Sequence, residues 1–204
     1  CGNSRFGCWV CTVVNEDKAL TGFIQSGHDW MKPLLDFRNW LSSIRDDRTK
    51  RMKYRMNGQI YYRDVRIEEI NNQAYVVIPK KSGRRKQVIP FEEFAVVTKD
   101  TIKAYITEHD IDLSSPEDHR ILVKYEEETL DGQVITKYAQ LGLGAYTMEA
   151  RREMLTKLLE LQRDIQHPFD EHYELIRDEE LKAIRKIWFK NGEWDDSVPA
   201  IFEE

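Results

Sequence analysis

Three cysteines stand within the first eleven residues, Cys1, Cys8 and Cys11, and the rest of the 204-residue chain contains none. The run reads CGNSRFGCWVC, a C-x6-C-x2-C spacing. Thiolates gathered this closely hold a metal ion or an iron–sulfur cluster, or exchange electrons as a dithiol. A tight Cys-x2-Cys loop can turn two sulfurs toward one ion. A closed site needs four ligands, and this stretch supplies three. The fourth is expected upstream of residue 1, so the chain reads as the carboxy-terminal part of a longer protein. The competing reading is three small buried hydrophobes, since cysteine packs well in cores. Spacing leaves zinc, an iron–sulfur cluster and a Cys8/Cys11 dithiol all open.

Charge is the second constraint. The net charge is −5, yet from Arg45 to Lys86 thirteen Lys or Arg stand against five Asp or Glu, a local +8 that leaves −13 for the remainder. Such asymmetry suits a basic face for a polyanion on an acidic body, and a solvated loop would show it too. The candidates for nucleic-acid contact are Arg51, Lys53, Arg55, Lys80, Lys81, Arg84, Arg85 and Lys86, interleaved with Tyr54, Tyr61 and Tyr62. Hydrophobic residues make up 41% and charged residues 33%. That is the balance of a folded domain rather than a disordered tail. No run approaches the roughly 20 apolar residues of a membrane span. Few, clustered cysteines fit a reducing compartment, so the expected location is the cytoplasm.

Periodicity gives an α+β reading with three regions, 1–45, 46–142 and 143–204. In the first, Leu20, Phe23 and Ile24 form a short helical stripe stopped by Gly27. Trp30, Leu34, Phe37, Leu41 and Ile44 then mark one face of a helix from about Asp29 to Ile44. Pro33 is tolerable there only in the first turn. Both helices are expected to pack under the cysteine loop. The second region is a small sheet with basic loops. It has a turn at Asn57-Gly58, strands over Gln59–Ile70 and Ala74–Ile78, and a helix from Lys99 to Glu108 capped by Thr98 or Asp100. A hairpin follows, Ile121–Glu128 and Val134–Leu141, turning at Asp131-Gly132. The third region is helical. Thr147 caps one helix and Asp178 another, and an acidic tail docks through Trp194, Val198 and Ile201.

Other motifs are weak. His28, His109, His119, His167 and His172 form no metal-ligand spacing and read as surface or capping residues. Arg5 could donate to cluster sulfurs or lie on the surface. Leu-Gly-Leu-Gly at 141–144 lacks the G-x4-G-K-[ST] and G-x-G-x-x-G patterns, so it reads as a turn feeding a helix.

CGNSRFGCWVCTVV, continued by GHDWMKPLLDFRNWL, resembles the stretch that follows the ATP-pyrophosphatase domain in the DndC family, the phosphoadenosine-phosphosulfate-reductase-like proteins of DNA phosphorothioation. LGLGAYTMEARREMLTKLLELQ and IRDEELKAIRKIW with WDDSVPAIF resemble later parts of that family. The likeness spans most of the chain; it is most specific in the cysteine block and least in the basic middle. It implies a sulfurtransferase. In that family ATP activates the target, cysteines bind a 4Fe–4S cluster, and sulfur from a cysteine desulfurase replaces a non-bridging phosphate oxygen of DNA. Carried over, Cys1, Cys8 and Cys11 become three cluster ligands. The family's S-G-G-x-D-S-type loop is not in this sequence, so the α/β ATP-pyrophosphatase domain, with its ATP and the fourth cysteine, is expected upstream. DNA, the desulfurase and other sulfur-modification subunits are the implied partners. The alternative is a non-enzymatic, zinc-stapled module that docks nucleic acid or protein.

Overall fold

Asp17 opens the first helix, α1 (Lys18–Gln25), by accepting the Leu20 N–H on its carboxylate at 2.9 Å. The helix ends where Gly27 takes φ +96° and His28 N–H reaches back to the Phe23 carbonyl at 3.1 Å. A single 3-10 turn, Asp29–Met31, leads into α2 (Lys32–Ile44). Pro33 falls in the first turn of α2, where its missing N–H breaks no helical bond. The computed structural model describes residues 9–12, 14, 16–78, 87–115 and 119–203. Contacts divide the chain into two compact units, Asp47–Ala145 and the pair of segments Cys1–Asp46 with Tyr146–Glu204. The first and last regions read from the sequence thus share a unit, with the basic region forming the other.

The Asp47–Ala145 unit carries every strand described: β1 (Tyr62–Ile70), β2 (Gln73–Ile78), β3 (Gln87–Pro90), β4 (Ala95–Thr98), β5 (Ile121–Glu128) and β6 (Val134–Leu141). They form one six-stranded sheet in the order β3-β2-β1-β6-β5-β4, so the expected hairpin and the basic region's strands are parts of the same sheet. All neighbours are antiparallel except β4 and β5, which run parallel. That pair needs a long crossover, supplied by α3 (Ile102–Glu108). Thr101, not Thr98 or Asp100, occupies the cap position of α3, while Thr98 Oγ1 accepts the Thr101 N–H at 3.3 Å.

Ile102 and Ile106 of α3 cover one face of the sheet, packing on Val97, Ile121, Val123 and Leu141 with Ile60 and Leu113. On a second core cluster Val76, Ile89 and Leu122 pack with Phe94. Each such aliphatic side chain contributes about 1.5–3 kcal/mol on burial. β5 therefore begins as three consecutive buried residues, Ile121, Leu122 and Val123, and turns polar at Lys124. Asp131-Gly132 is not a two-residue turn. It lies in a five-residue connection, 129–133, in which Thr129 N–H donates to the Gln133 carbonyl and Gly132 sits at φ +76°.

The other unit is completed by α4 (Met148–Asp164), α5 (Asp178–Lys190) and α6 (Ser197–Glu203). Thr147 caps α4 as read, its hydroxyl accepting from Ala150 N–H at 3.2 Å. Arg177 stands at the cap position of α5, and Asp178 is the first helical residue. Glu180 closes that end by accepting the Arg177 N–H at 2.9 Å. Leu155 and Leu159 of α4 pack on Leu181, Trp188 and Val198, whereas Leu161 joins Leu20 and Leu34. α4 thus serves two cores. Ile201 joins the first of them, but Trp194 does not, and its ring is 70% exposed.

A buried carboxylate fixes the start of α6. Glu193, only 5% exposed, receives Arg152 Nη2 at 2.7 Å and the Ser197 N–H at 3.2 Å, and Arg152 Nε donates to Ser197 Oγ at 3.0 Å. The Arg152 guanidinium, then Ser197, hold the Glu193 carboxyl below the usual glutamate range. The unfolded chain binds this proton more tightly, at the ordinary value of about 4.3. The contribution is therefore fully present above that value and is lost as pH falls through the lowered folded one. Glu193→Gln should be less stable than the parent at neutral pH and converge on it under acid, with a flatter thermal midpoint below about pH 5. Parallel midpoint-against-pH curves for the two proteins would contradict this.

Candidate cysteine-loop site and basic surface

The described part of the cysteine loop, 9–12 and 14, is held by α2. Leu34, Arg38, Leu41 and Arg45 recur at steps of four, three and four, so two arginines lie on the same stripe as apolar residues. Arg38 is completely buried. Its Nε donates to the Cys11 carbonyl at 3.2 Å, its Nη2 to the Val14 carbonyl, and its Nη1 to Asn39 Oδ1 at 3.1 Å. Arg45 Nη1 donates to the Thr12 carbonyl. A loop has no ladder to satisfy its carbonyls, and a buried guanidinium needs acceptors for its planar fork of donors. Each requirement answers the other. Trp9 adds an apolar anchor, its ring 5.7 Å from Phe37, within the cluster built on Leu20, Leu34 and Leu161.

Cys11 is half-buried in this loop. Cys1, Cys8 and Arg5 lie outside the described residues. Among the described residues no group of three His, Cys, Asp or Glu side chains is placed to hold a metal ion, a count that those two cysteines do not enter. His109 sits at the end of α3, where Nδ1–H donates to the Tyr105 carbonyl at 3.1 Å and the ring stacks on Tyr105. His167 stacks on Tyr173 at 4.6 Å and meets the edge of Trp30 at 4.5 Å. His28 precedes the 3-10 turn and meets the Phe23 ring edge-on.

The basic surface begins with the 3-10 turn Arg48–Lys50, opened by Asp47, whose Oδ1 accepts from Thr49 N–H and Oγ1–H at 2.9 and 2.6 Å. Arg48 Nη2 then donates to the Leu141 carbonyl at 3.2 Å, and Arg51 Nη1 to the Gly144 carbonyl at 3.3 Å. Two cations that read as a polyanion surface thus also bind their own backbone. Lys53 pairs with Asp112 at 3.1 Å, both exposed, and such a bridge contributes under about 1 kcal/mol, so a phosphate can displace it. Arg55 lies 5.3 Å from the Tyr61 ring centroid. Tyr62 packs against the sheet core, and burial pushes its hydroxyl pKa up, so it is not a stacking surface. Lys80, Lys81, Arg84, Arg85 and Lys86 lie outside the described residues.

Arg48, Arg51 and Lys53 line an open cleft together with Gly142–Gly144. It has room for about one water molecule, far less than a small-molecule site needs. The glycines are explained by packing instead. Gly142 N–H donates to the Tyr61 carbonyl at 2.6 Å, Met52 N–H donates to the Ala145 carbonyl at 2.8 Å, and a Cβ on Gly144 would lie 2.2 Å from Met52 O.

Arg38 is the functional candidate that sequence reading passes over, and Arg45, read as the start of the basic surface, instead turns to the Thr12 carbonyl. Their signal is visible afterwards: arginines that fall on the apolar stripe of α2 rather than opposite it. Among the described residues no helix is long and apolar enough to cross a membrane. No protein-family model matches the chain, nor does any curated protein or any solved structure.

Proposed function

We propose that the chain is the cluster-binding and DNA-docking part of a DNA sulfur-modification protein of the phosphoadenosine-phosphosulfate-reductase-like family. Cys1, Cys8 and Cys11 ligate a 4Fe–4S cluster, with the fourth ligand and the ATP-pyrophosphatase site upstream. Arg51, Lys53 and Arg55, with Lys80, Lys81, Arg84, Arg85 and Lys86, contact the DNA backbone, and a cysteine desulfurase supplies the sulfur. The observation that carries this reading is the grip of buried Arg38 and half-buried Arg45 on the carbonyls of Cys11, Thr12 and Val14. A ligand loop must hold its sulfurs in fixed directions, and outer hydrogen bonds to a ligand's own backbone do this. Cys11 supplies a thiol for such a group, and Trp9, two residues earlier in the chain, packs on Leu20, Leu34 and Leu161, an apolar setting that would bear on a cluster's potential. When bound, the cluster supplies low-potential electron or sulfur handling.

The test is anaerobic reconstitution of the whole protein, followed by iron and sulfide analysis and a visible spectrum. Cys8→Ser and Cys11→Ser should each lose most of the iron and the broad visible absorption. Unchanged iron in both variants would sink the assignment. Zinc without sulfide would favour the stapled binding module instead.

A further inference from the structure

The outer face of α5 carries a second, separate surface. Trp194, which the sequence suggests is a docking residue, instead stands 70% exposed and meets Phe189, itself 53% exposed, edge to face at 4.7 Å. Neither ring belongs to the core built on Leu181, Trp188 and Val198. On the same helix Lys182, Lys186 and Lys190 recur every four residues, and Phe189 lies three after Lys186. With a rise of 1.5 Å per residue, the three lysines leave the backbone about 6 Å apart along one side of the helix, with the rings at its carboxy end. All three lysines are exposed. Among the described residues none of them has an ion-pair partner, whereas Arg177 and Arg185 of the same stretch are held by Glu180 and Asp196. Of the nearby acids, Asp195 leans toward Arg152 at 3.9 Å, and Asp178 and Glu179 lie one turn before Lys182, four and three residues away, with no ion pair to it among the described residues.

We propose that this face binds single-stranded nucleic acid, with phosphates on Lys182, Lys186 and Lys190 and an unstacked base against the Trp194–Phe189 pair. Evenly spaced cations match a repeating anion, and open aromatic faces accept any base. An acidic protein segment would use the charges but leave the rings without a role. A membrane surface is disfavoured because the apolar side of α5, Leu181, Ile184 and Trp188, is already packed inside the protein. This surface needs no cysteine and no basic residue between 45 and 86, so it stands or falls apart from the cluster assignment.

The experiment is fluorescence anisotropy of a labelled single-stranded oligonucleotide and of its duplex, over a range of salt, with the whole chain. The single strand should bind more tightly than the duplex. Trp194→Ala should weaken it about 5- to 150-fold, the range of one lost base stack. Lys186→Gln with Lys190→Gln should lower the slope of log affinity against log salt by about 1.4. All three side chains are exposed, and unchanged circular dichroism and thermal midpoint will separate lost binding from lost fold. Parental affinity and slope in both variants would overturn the proposal. Equal losses on duplex and single strand would do so too, as would preference of the parent for anionic phospholipid vesicles or an acidic peptide.

Discussion

Gly144→Ala is expected to destabilise the Asp47–Ala145 unit by about 3 kcal/mol or more, a large share of the 5–15 kcal/mol that holds a typical domain. The added Cβ would sit 2.2 Å from Met52 O and 2.6 Å from Tyr61 Cε2. A flexible side chain could move aside, but Met52 O is backbone. Met52 is tied in place by its own N–H to the Ala145 carbonyl, and the neighbouring Gly142 N–H to the Tyr61 carbonyl. Relief therefore breaks at least one of these bonds, and a buried backbone group left unpaired adds about 1–3 kcal/mol. Gly142→Ala, whose Cβ meets backbone atoms at 3.0–3.2 Å, should have a smaller effect of the same sign. Gly22→Ala in α1 meets nothing within 4 Å and should stabilise by up to about 1 kcal/mol. Urea titrations of the three variants check the order. Parental stability in Gly144→Ala would show that the 141–144 glycines answer to something other than close packing.

The same crossing shows what the sequence could and could not disclose. Elements set by local pattern were legible: the stripe of α2, the Thr147 cap, and the two strands of the β5–β6 hairpin, whose bounds agree with the reading. Long-range pairing was not. β1 pairs with β6, Val65 opposite Tyr138, and nothing in either segment's alternation names its partner. The turn between β1 and β2 was missed because it uses Asn71 and Asn72, at φ 52° and 62°, rather than a glycine. Asparagine tolerates that region through local side-chain hydrogen bonds, so Asn-Asn can do the work of Asn-Gly. The tail was misjudged at Trp194 because a large aromatic is read as core by default. In place, the short chain from Asn191 to Asp196 is fixed by Glu193, whose carboxylate points inward and leaves the indole outside.

Arg38 is the second position where a single change should be felt strongly, and it bears on the candidate site directly. Arg38→Leu keeps the apolar character of the α2 stripe but removes the donors to the Cys11 and Val14 carbonyls. The direct cost is set by those carbonyls, about 1–3 kcal/mol for each that stays buried. The loop can lower this cost only by leaving α2 and turning its carbonyls to water, which also withdraws Trp9 from Phe37. Either route gives a loss of about 3 kcal/mol in stability or an open loop, and the two separate cleanly. Hydrogen exchange at residues 9–14 and the alkylation rate of Cys11 report the loop, while the thermal midpoint reports the core. We expect faster exchange and faster alkylation in Arg38→Leu, and a smaller change in Arg45→Leu, which donates to the Thr12 carbonyl and is only half-buried. Arg38→Lys should restore little, because one ammonium cannot reproduce the planar fork that reaches carbonyls three residues apart. Parental exchange and alkylation in Arg38→Leu would mean that the loop holds itself, and the fixed sulfur directions that the cluster assignment requires would need another source.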